Sequence, residues 1–171
     1  NGLEGLEFAW DLDNDGTFET PGQSVDFTGY NAPAMLTVRV QVTDPTGLTA
    51  VDEATVYVLY NFQGFFHSYT NPPEFNTHVN SGSTAVLFFS LGGDKGMDVL
   101  TGQPTVQRIS CTTGEPVGAV TQASGKLHYD PFEEWYSFNW KTVKAWKDTC
   151  QMITFSLADG TQQSLWFQFN K

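Results

Sequence analysis

Residues 35–60 read MLTVRVQVTDPTGLTAVDEATVYVLY, and this stretch decides the fold. Apolar residues occupy the even positions from 36 to 42, and polar residues occupy the odd positions from 37 to 43. Alternation at period two is typical of a β-strand with one face in a core, so we expect the even positions to face inward. DPTG at 44–47 predicts a turn, and the next alternating run predicts a second strand. Short strands and turn residues continue along the chain, so we predict an all-β protein.

Composition limits the classes of function. The chain has 171 residues, of which 40% are hydrophobic and 15% aromatic, enough for packed cores. Its formal net charge of −11, without a basic run, makes nucleic acid and anionic membranes unsuitable partners. No stretch approaches the roughly 20 apolar residues of a membrane span. No signal peptide opens the sequence, so an exported protein would carry its signal upstream of Asn1.

The acidic residues are concentrated in the first third of the chain. Residues 1–59 contain ten acids against Arg39 alone, a net charge of −9, whereas residues 60–171 contain nine acids and seven bases, a net charge of −2. This change predicts a domain boundary near Tyr60. We therefore expect two modules, residues 1–59 and 60–171.

Residues 10–20, WDLDNDGTFET, combine the end of a strand with a run of acids. Phe8, Trp10 and Leu12 would face a core, so the aspartates would begin on the opposite, solvated face. Gly16 permits the chain to curl, and converging oxygens suit Ca²⁺, which takes about six to eight of them. The candidate metal ligands are Asp11, Asp13, Asp15 and Glu19.

The alternative for this stretch is a polar hairpin turn, because Asp, Asn and Gly are common turn residues. The run begins like an EF-hand loop, but Gly22 stands where that loop has its bidentate glutamate, and strands instead of helices flank it. A calcium site here would need backbone carbonyls or another part of the fold to complete it.

The first module resembles the second half of a polycystic-kidney-disease (PKD) domain, an immunoglobulin-like sandwich of bacterial and archaeal surface proteins. WDLDNDGTFET and TVRVQVTDPTGLTAVDEATVYV carry the resemblance. The family has two more strands before the tryptophan strand, where this chain has only NGLEGLE. The resemblance thus implies a sandwich lacking its initial strands, with an open sheet edge. Three explanations are open. The chain is a fragment of a longer protein, a partner supplies the missing strands by strand addition, or the sequence covers only the ordered portion of the protein.

The second module resembles a small bacterial module named PxKF. The matching segments are FQGF, GSTAVLFFSLGGDKG, WKTVKAW and ADGTQQSLWFQF, with Ala85 and Leu87 at the name-giving proline and lysine positions. Family members look like terminal modules of large secreted or surface proteins, and the resemblance implies no catalytic activity. We expect a second Ig-like β-sandwich in tandem with the first, with KTVKAWKD as the helix candidate.

Cys111 and Cys150 fit an exported module. An oxidising compartment would join such a lone pair as a disulfide. A metal site would need more ligands at close spacing, and a nucleophilic cysteine would need a histidine and an orienting group beside it.

The sequence predicts no catalytic residue. Adjacent Glu133 and Glu134 would point to opposite faces of a strand, which does not suit the carboxylate pair of a glycosidase. The chain is rich in aromatic residues, and an exposed aromatic pair could stack on sugar rings. The candidates for such a ligand-binding pair are Trp135, Tyr136 and Trp146, whose burial would exclude this role.

These observations predict a non-catalytic extracellular module, secreted or on the cell surface, that serves as a spacer, stalk or adhesive element with structural calcium. Its partners would be neighbouring domains of a parent protein or other subunits. One alternative is an accessory module of a secreted hydrolase that binds polysaccharide or another substrate. A second is a subunit of a filament assembled by strand exchange.

Overall fold

The computed structural model describes residues 4–26 and 33–170. The protein is all-β, as predicted, and it divides into two compact units, Asn1–Leu59 (unit 1) and Tyr60–Lys171 (unit 2). No helix among the described residues could cross a membrane. KTVKAWKD contributes one short 3₁₀ helix, Lys144–Trp146.

Unit 1 forms one antiparallel sheet of four strands in the order β2-β1-β3-β4. The strands are β1 (Glu7–Asp11), β2 (Thr20–Pro21), β3 (Ala34–Thr43) and β4 (Thr49–Val58). The predicted turn at 44–47 joins β3 to β4, and the Asp44 carboxylate accepts the backbone N–H groups of Thr46 and Leu48. A hydrogen bond from the Thr46 hydroxyl, together with these backbone bonds, lowers the pKa of Asp44.

The alternation predicted that the even positions of β3 would be buried and the odd positions exposed, but the two faces differ less than this. Val38 is the only buried hydrophobic residue of this unit among those described, and Leu36, Val40 and Val42 are half-buried. The described residues of unit 1 form no second sheet of their own, which accounts for this partial burial. The edge strand β4 carries Asp52 and Glu53, charges of the kind that discourage edge-to-edge pairing.

Unit 2 is a two-layer β-sandwich. One sheet has three strands in the order β6-β10-β9, and the other has five in the order β5-β12-β11-β7-β8. Its strands are β5 (Phe75–Asn76), β6 (Thr84–Phe89), β7 (Thr105–Ile109), β8 (Pro116–Gln122), β9 (Ser124–Asp130), β10 (Trp135–Lys141), β11 (Thr149–Ser156) and β12 (Gln162–Phe169). The described pairings are antiparallel except that of β12 with β5.

Aromatic side chains from the two sheets meet in the core of unit 2. Phe138 of β10 packs edge-on against Phe155 of β11 with ring centroids 5.5 Å apart, and Trp140 meets Phe167 at 5.1 Å. These four rings are almost fully buried. Edge-to-face pairs of this kind each contribute about 0.5–1.5 kcal/mol beyond the burial of apolar area. Because the alternate residues of β10 fill this core, the residues between them form the outer face of the three-stranded sheet.

Candidate functional site

The acidic stretch forms the loop between β1 and β2. Asp11 ends β1, and the chain turns through Asn14 and Gly16, which have φ angles of 58° and 93°. These left-handed conformations suit asparagine and glycine. Beyond the loop, the Trp10 indole N–H donates to the Gly22 carbonyl at 2.8 Å and so closes the hairpin.

The loop brings three of the four predicted metal ligands together. Asp11, Asp13 and Asp15 each offer one carboxylate oxygen, and these oxygens lie within 4.8 Å of one another. Glu19 lies outside this group, so the loop does not place it as the fourth ligand. Three converging carboxylates form an oxygen-rich concavity of the kind that a hard cation prefers.

Asp11 is fully buried, which corrects the expectation that all the aspartates begin on a solvated face. Its Oδ1 accepts the backbone N–H of Asp15 at 3.1 Å, and its Oδ2 accepts that of Gly16 at 3.0 Å. These bonds compensate for the loss of water and hold the loop in its curl. A carboxylate has about four lone-pair positions, so Asp11 retains capacity for a cation.

Asp13 and Asp15 are exposed, and they complete the group from the solvent side. Asp15 also organises the loop, because its Oδ1 accepts the backbone N–H of Thr17 at 2.7 Å. The arrangement therefore serves two purposes that sequence alone did not separate. It is a hydrogen-bonded turn, and it gathers negative charge at one point.

The predicted disulfide is confirmed. Cys111 and Cys150 are joined, with Cα atoms 5.3 Å apart, and the chain has no free cysteine. Cys150 is buried in β11, opposite Ile109 at the end of β7, whereas Cys111 lies in the exposed turn after β7. The bond therefore ties this turn to a central strand of the five-stranded sheet.

The three candidate ligand-binding aromatics do not form one surface. Tyr136 is fully buried, which removes it from the candidates: its hydroxyl accepts the Lys95 backbone N–H at 2.7 Å and donates to the Gly96 carbonyl at 2.9 Å. Burial raises the pKa of Tyr136 to about 12. Trp146 is half-buried, and it packs on Trp140 with ring centroids 5.6 Å apart.

Trp135 is the candidate aromatic that lies on the outer face of the three-stranded sheet. It is half-buried and contacts His67 and Phe88, with ring centroids at 5.1 and 5.7 Å. It begins β10, and at about 3.3 Å per residue the strand places Lys141 some 20 Å away. Since Trp146 follows the far end of that strand, the two tryptophans cannot form a stacking pair.

Sequence reasoning missed two features of the β9–β10 hairpin, to which Trp135 belongs. Phe132, in the turn between β9 and β10, is 95% exposed. A cavity on the outer face of the same two strands carries Lys126, His128 and Lys141. The alternation of Ser124, Lys126 and His128 was a readable signal for one face of β9, but only strand pairing brings Lys141 beside it.

Comparison with protein-family profiles and with curated proteins finds no match. Among solved structures, the chain is similar to "Bacteroides ovatus mixed-linkage glucan utilization locus (MLGUL) SGBP-B in complex with mixed-linkage heptasaccharide". The two share 15% sequence identity, and the alignment covers 95% of this chain and 37% of that chain at a TM-score of 0.30. A likeness at this TM-score does not establish a common fold.

Proposed function

We propose that this chain is a non-catalytic structural or adhesive part of a secreted or surface protein. The disulfide is the observation that carries the proposal. It joins a turn to the buried strand β11 of a β-sandwich, and bonds of this kind persist in oxidising compartments outside the cytosol. The PKD-like and PxKF-like segments would then be successive modules of a longer surface protein, whose neighbouring domains would be the partners.

We propose a structural role for Ca²⁺ in unit 1. The ion would take oxygens of Asp11, Asp13 and Asp15, and backbone carbonyls or water would fill the remaining positions. Binding would neutralise part of a unit whose net charge is −9 and would hold β1 and β2 together. These two strands share only two residue pairs, Ala9 with Pro21 and Trp10 with Thr20, so a bound cation would strengthen a weakly paired hairpin.

The test is thermal unfolding of the full chain in Ca²⁺ and in chelator, together with calorimetric titration of Ca²⁺. A ligand that binds only the native state stabilises it by about 2.7 kcal/mol at one hundred times its Kd. We expect Ca²⁺ to raise the Tm of unit 1, and Asp13→Ala/Asp15→Ala to abolish both the rise and the binding heat.

The matched control is Asp52→Ala/Glu53→Ala, which removes the same charge from the exposed strand β4. It should keep the response to Ca²⁺. Unchanged unfolding of the wild type in Ca²⁺ would refute the calcium role. If both double variants lose the response of the Tm to Ca²⁺ equally, Ca²⁺ acts by general charge neutralisation and not by binding at the loop.

A second candidate function is an accessory module that binds polysaccharide, and the surroundings of Trp135 favour it. This half-buried ring, the exposed Phe132 and a polar cavity occur on one hairpin of unit 2. Aromatic side chains with one exposed part are common at ligand-binding surfaces. The test is binding of soluble oligosaccharides to the full chain, compared with Trp135→Ala. Binding that this variant does not weaken would argue against a role for the ring.

A further inference from the structure

The outer face of the three-stranded sheet contains a cavity of about 330 Å³. Ser124, Gly125, Lys126 and His128 line it from β9, and Asn139 and Lys141 line it from β10. Its volume lies near the lower end of the range typical of small-molecule sites, about 300–1,000 Å³. It is wide enough for one compact polar group.

Strand register explains why the basic side chains meet there. Lys126 lies opposite Asn139, and Ser124 lies opposite Lys141. Directly opposed residues have Cβ atoms about 5 Å apart, and diagonal neighbours are about 7–8 Å apart. Lys126 therefore has Lys141 as a diagonal neighbour across the strands, and His128 follows it two positions along β9. Two long ammonium side chains at this spacing can converge on one anion.

The charge of this cavity contrasts with the rest of the molecule. No acidic residue lines it, although the chain has 19 acids and eight bases. The nearest acid in the same row of β9 is Asp130, whose carboxylate accepts the backbone N–H groups of Phe132 and Glu133 in the turn. Two lysines without a lining acid favour a ligand that carries negative charge.

The remaining groups of the hairpin indicate what else the ligand contains. Ser124 and Asn139 supply a hydroxyl and an amide, which can both donate and accept hydrogen bonds. Trp135 and Phe132 add aromatic surface toward the other end of the same hairpin. A ligand with an anionic group, several hydroxyls and apolar ring faces satisfies all of these at once.

We infer that this face binds a polysaccharide with isolated acidic sugars, in which a carboxylate enters between Lys126 and Lys141. Asn139 and Ser124 contact sugar hydroxyls, and Trp135 packs on a sugar ring several residues farther along the same polysaccharide. The inference deepens the polysaccharide-binding role proposed above and rests on it. Lysine suits such a ligand, because its ammonium is a point charge on a flexible stem that tolerates varied carboxylate orientations.

Acidic residues of the same hairpin favour sparse acidic groups over a dense polyanion. Asp130 ends β9, and Glu133 and Glu134 are exposed in the turn that follows it. Interactions between exposed charges are screened beyond about 8 Å at physiological ionic strength. A ligand with one acidic group at the cavity therefore gains its attraction, whereas a heavily charged ligand that extends along the hairpin also meets repulsion from these acids.

The test is calorimetric titration of the full chain with three oligosaccharides: a xylo-oligosaccharide that carries a single glucuronic acid, a heparin-derived oligosaccharide and a neutral cello-oligosaccharide. We expect the oligosaccharide with the single glucuronic acid to bind most tightly. Lys126→Gln/Lys141→Gln should weaken its binding about tenfold or more, as expected for loss of two close charge contacts. The control Lys144→Gln/Lys147→Gln removes the same charge after β10 and should change the Kd less than twofold, within the small effect of remote surface charges.

Each other outcome overturns the inference in a distinct way. If both double lysine variants weaken binding equally, the ligand is attracted by positive charge in general and not by this cavity. If the heparin-derived oligosaccharide binds most tightly, the face is a site for densely sulfated chains. If the neutral oligosaccharide binds best in a Trp135-dependent manner, the binding role stands and this inference fails. If none of the three oligosaccharides binds, both the polysaccharide-binding role and this inference fail. Self-association that Lys126→Gln/Lys141→Gln abolishes in sedimentation would assign this face to a second copy.

Discussion

Removal of the disulfide by Cys111→Ala/Cys150→Ala should destabilise unit 2 alone. The bond joins residues 39 positions apart, and in the chain-entropy model a closed loop of about 40 residues contributes about 4 kcal/mol at 25 °C. Unit 2 has about 110 residues, and at about 2.1 cal/mol/K of unfolding entropy per residue this loss lowers its Tm by about 17 °C. We choose alanine instead of serine, because serine would place a hydroxyl at the buried position 150.

The assay is urea unfolding followed by tryptophan fluorescence. Trp10 belongs to unit 1, whereas the other four tryptophans belong to unit 2, so the signal reports mainly on the unit that contains the bond. Oxidised and reduced wild type should be measured beside the double variant. Reduction keeps both sulfur atoms, so the difference between reduced wild type and variant isolates the packing of Cys150 from the closure of the loop.

A loss below about 1 kcal/mol in both reduced and alanine forms would refute the reasoning, because loop closure would then contribute far less than the entropic model requires. A large loss in the alanine variant with almost none on reduction would also contradict it, since packing would be responsible. Loss of the fold of unit 1 in either form would show that the bond does not act on unit 2 alone.

Three further substitutions, with Gly160→Ala as a control for the first, test individual contacts. Gly114→Ala places a Cβ against the ring of Trp166 at a φ of 74°, so we expect a loss of about 3 kcal/mol by urea unfolding, whereas Gly160→Ala, with open space at a φ of 84°, should lose only about 1 kcal/mol. Tyr136 has a raised folded-state pKa, so its contribution is complete below about pH 10 and is lost as pH rises toward 12; Tyr136→Phe should show a smaller fall in Tm across that interval. Asp11→Ala orphans two backbone N–H groups and should cost unit 1 about 1–3 kcal/mol even in chelator, measured by its Tm; an unchanged Tm would contradict this role.

Local patterns were sufficient to predict the strand-rich architecture. Alternation in β3 and β10 and the turn residues at 44–47 are short-range features, and each depends on a few adjacent side chains. The pairing of Cys111 with Cys150 was also predictable, because a chain with two cysteines has one intramolecular disulfide to form. Contacts between residues that lie far apart in the sequence could not be predicted from such local patterns.

The aspartate loop shows where local reasoning fails. Continued alternation would place Asp11 in solvent, but the turn through Asn14 and Gly16 folds the backbone N–H groups back onto its carboxylate. Once those bonds form, burial no longer leaves the charge without partners. The gathering of three aspartates was predictable from their spacing, whereas the burial of one depended on the path of the loop.

The sequence by itself determined the strands, the turns, the division of charge between the two parts of the chain and the cysteine pair, because these follow from composition and period-two patterns. Only the tertiary structure decided which face each side chain occupies and which strands become neighbours. Adjacent residues of a strand point to opposite faces, and a shift of one residue in register would exchange those faces. The register of β10 therefore decides that Tyr136 enters the core while Trp135 lies on the outer face. The pairing of β9 with β10 likewise brings Lys126 and Lys141 to one cavity across 15 positions of sequence, a distance over which no local pattern acts.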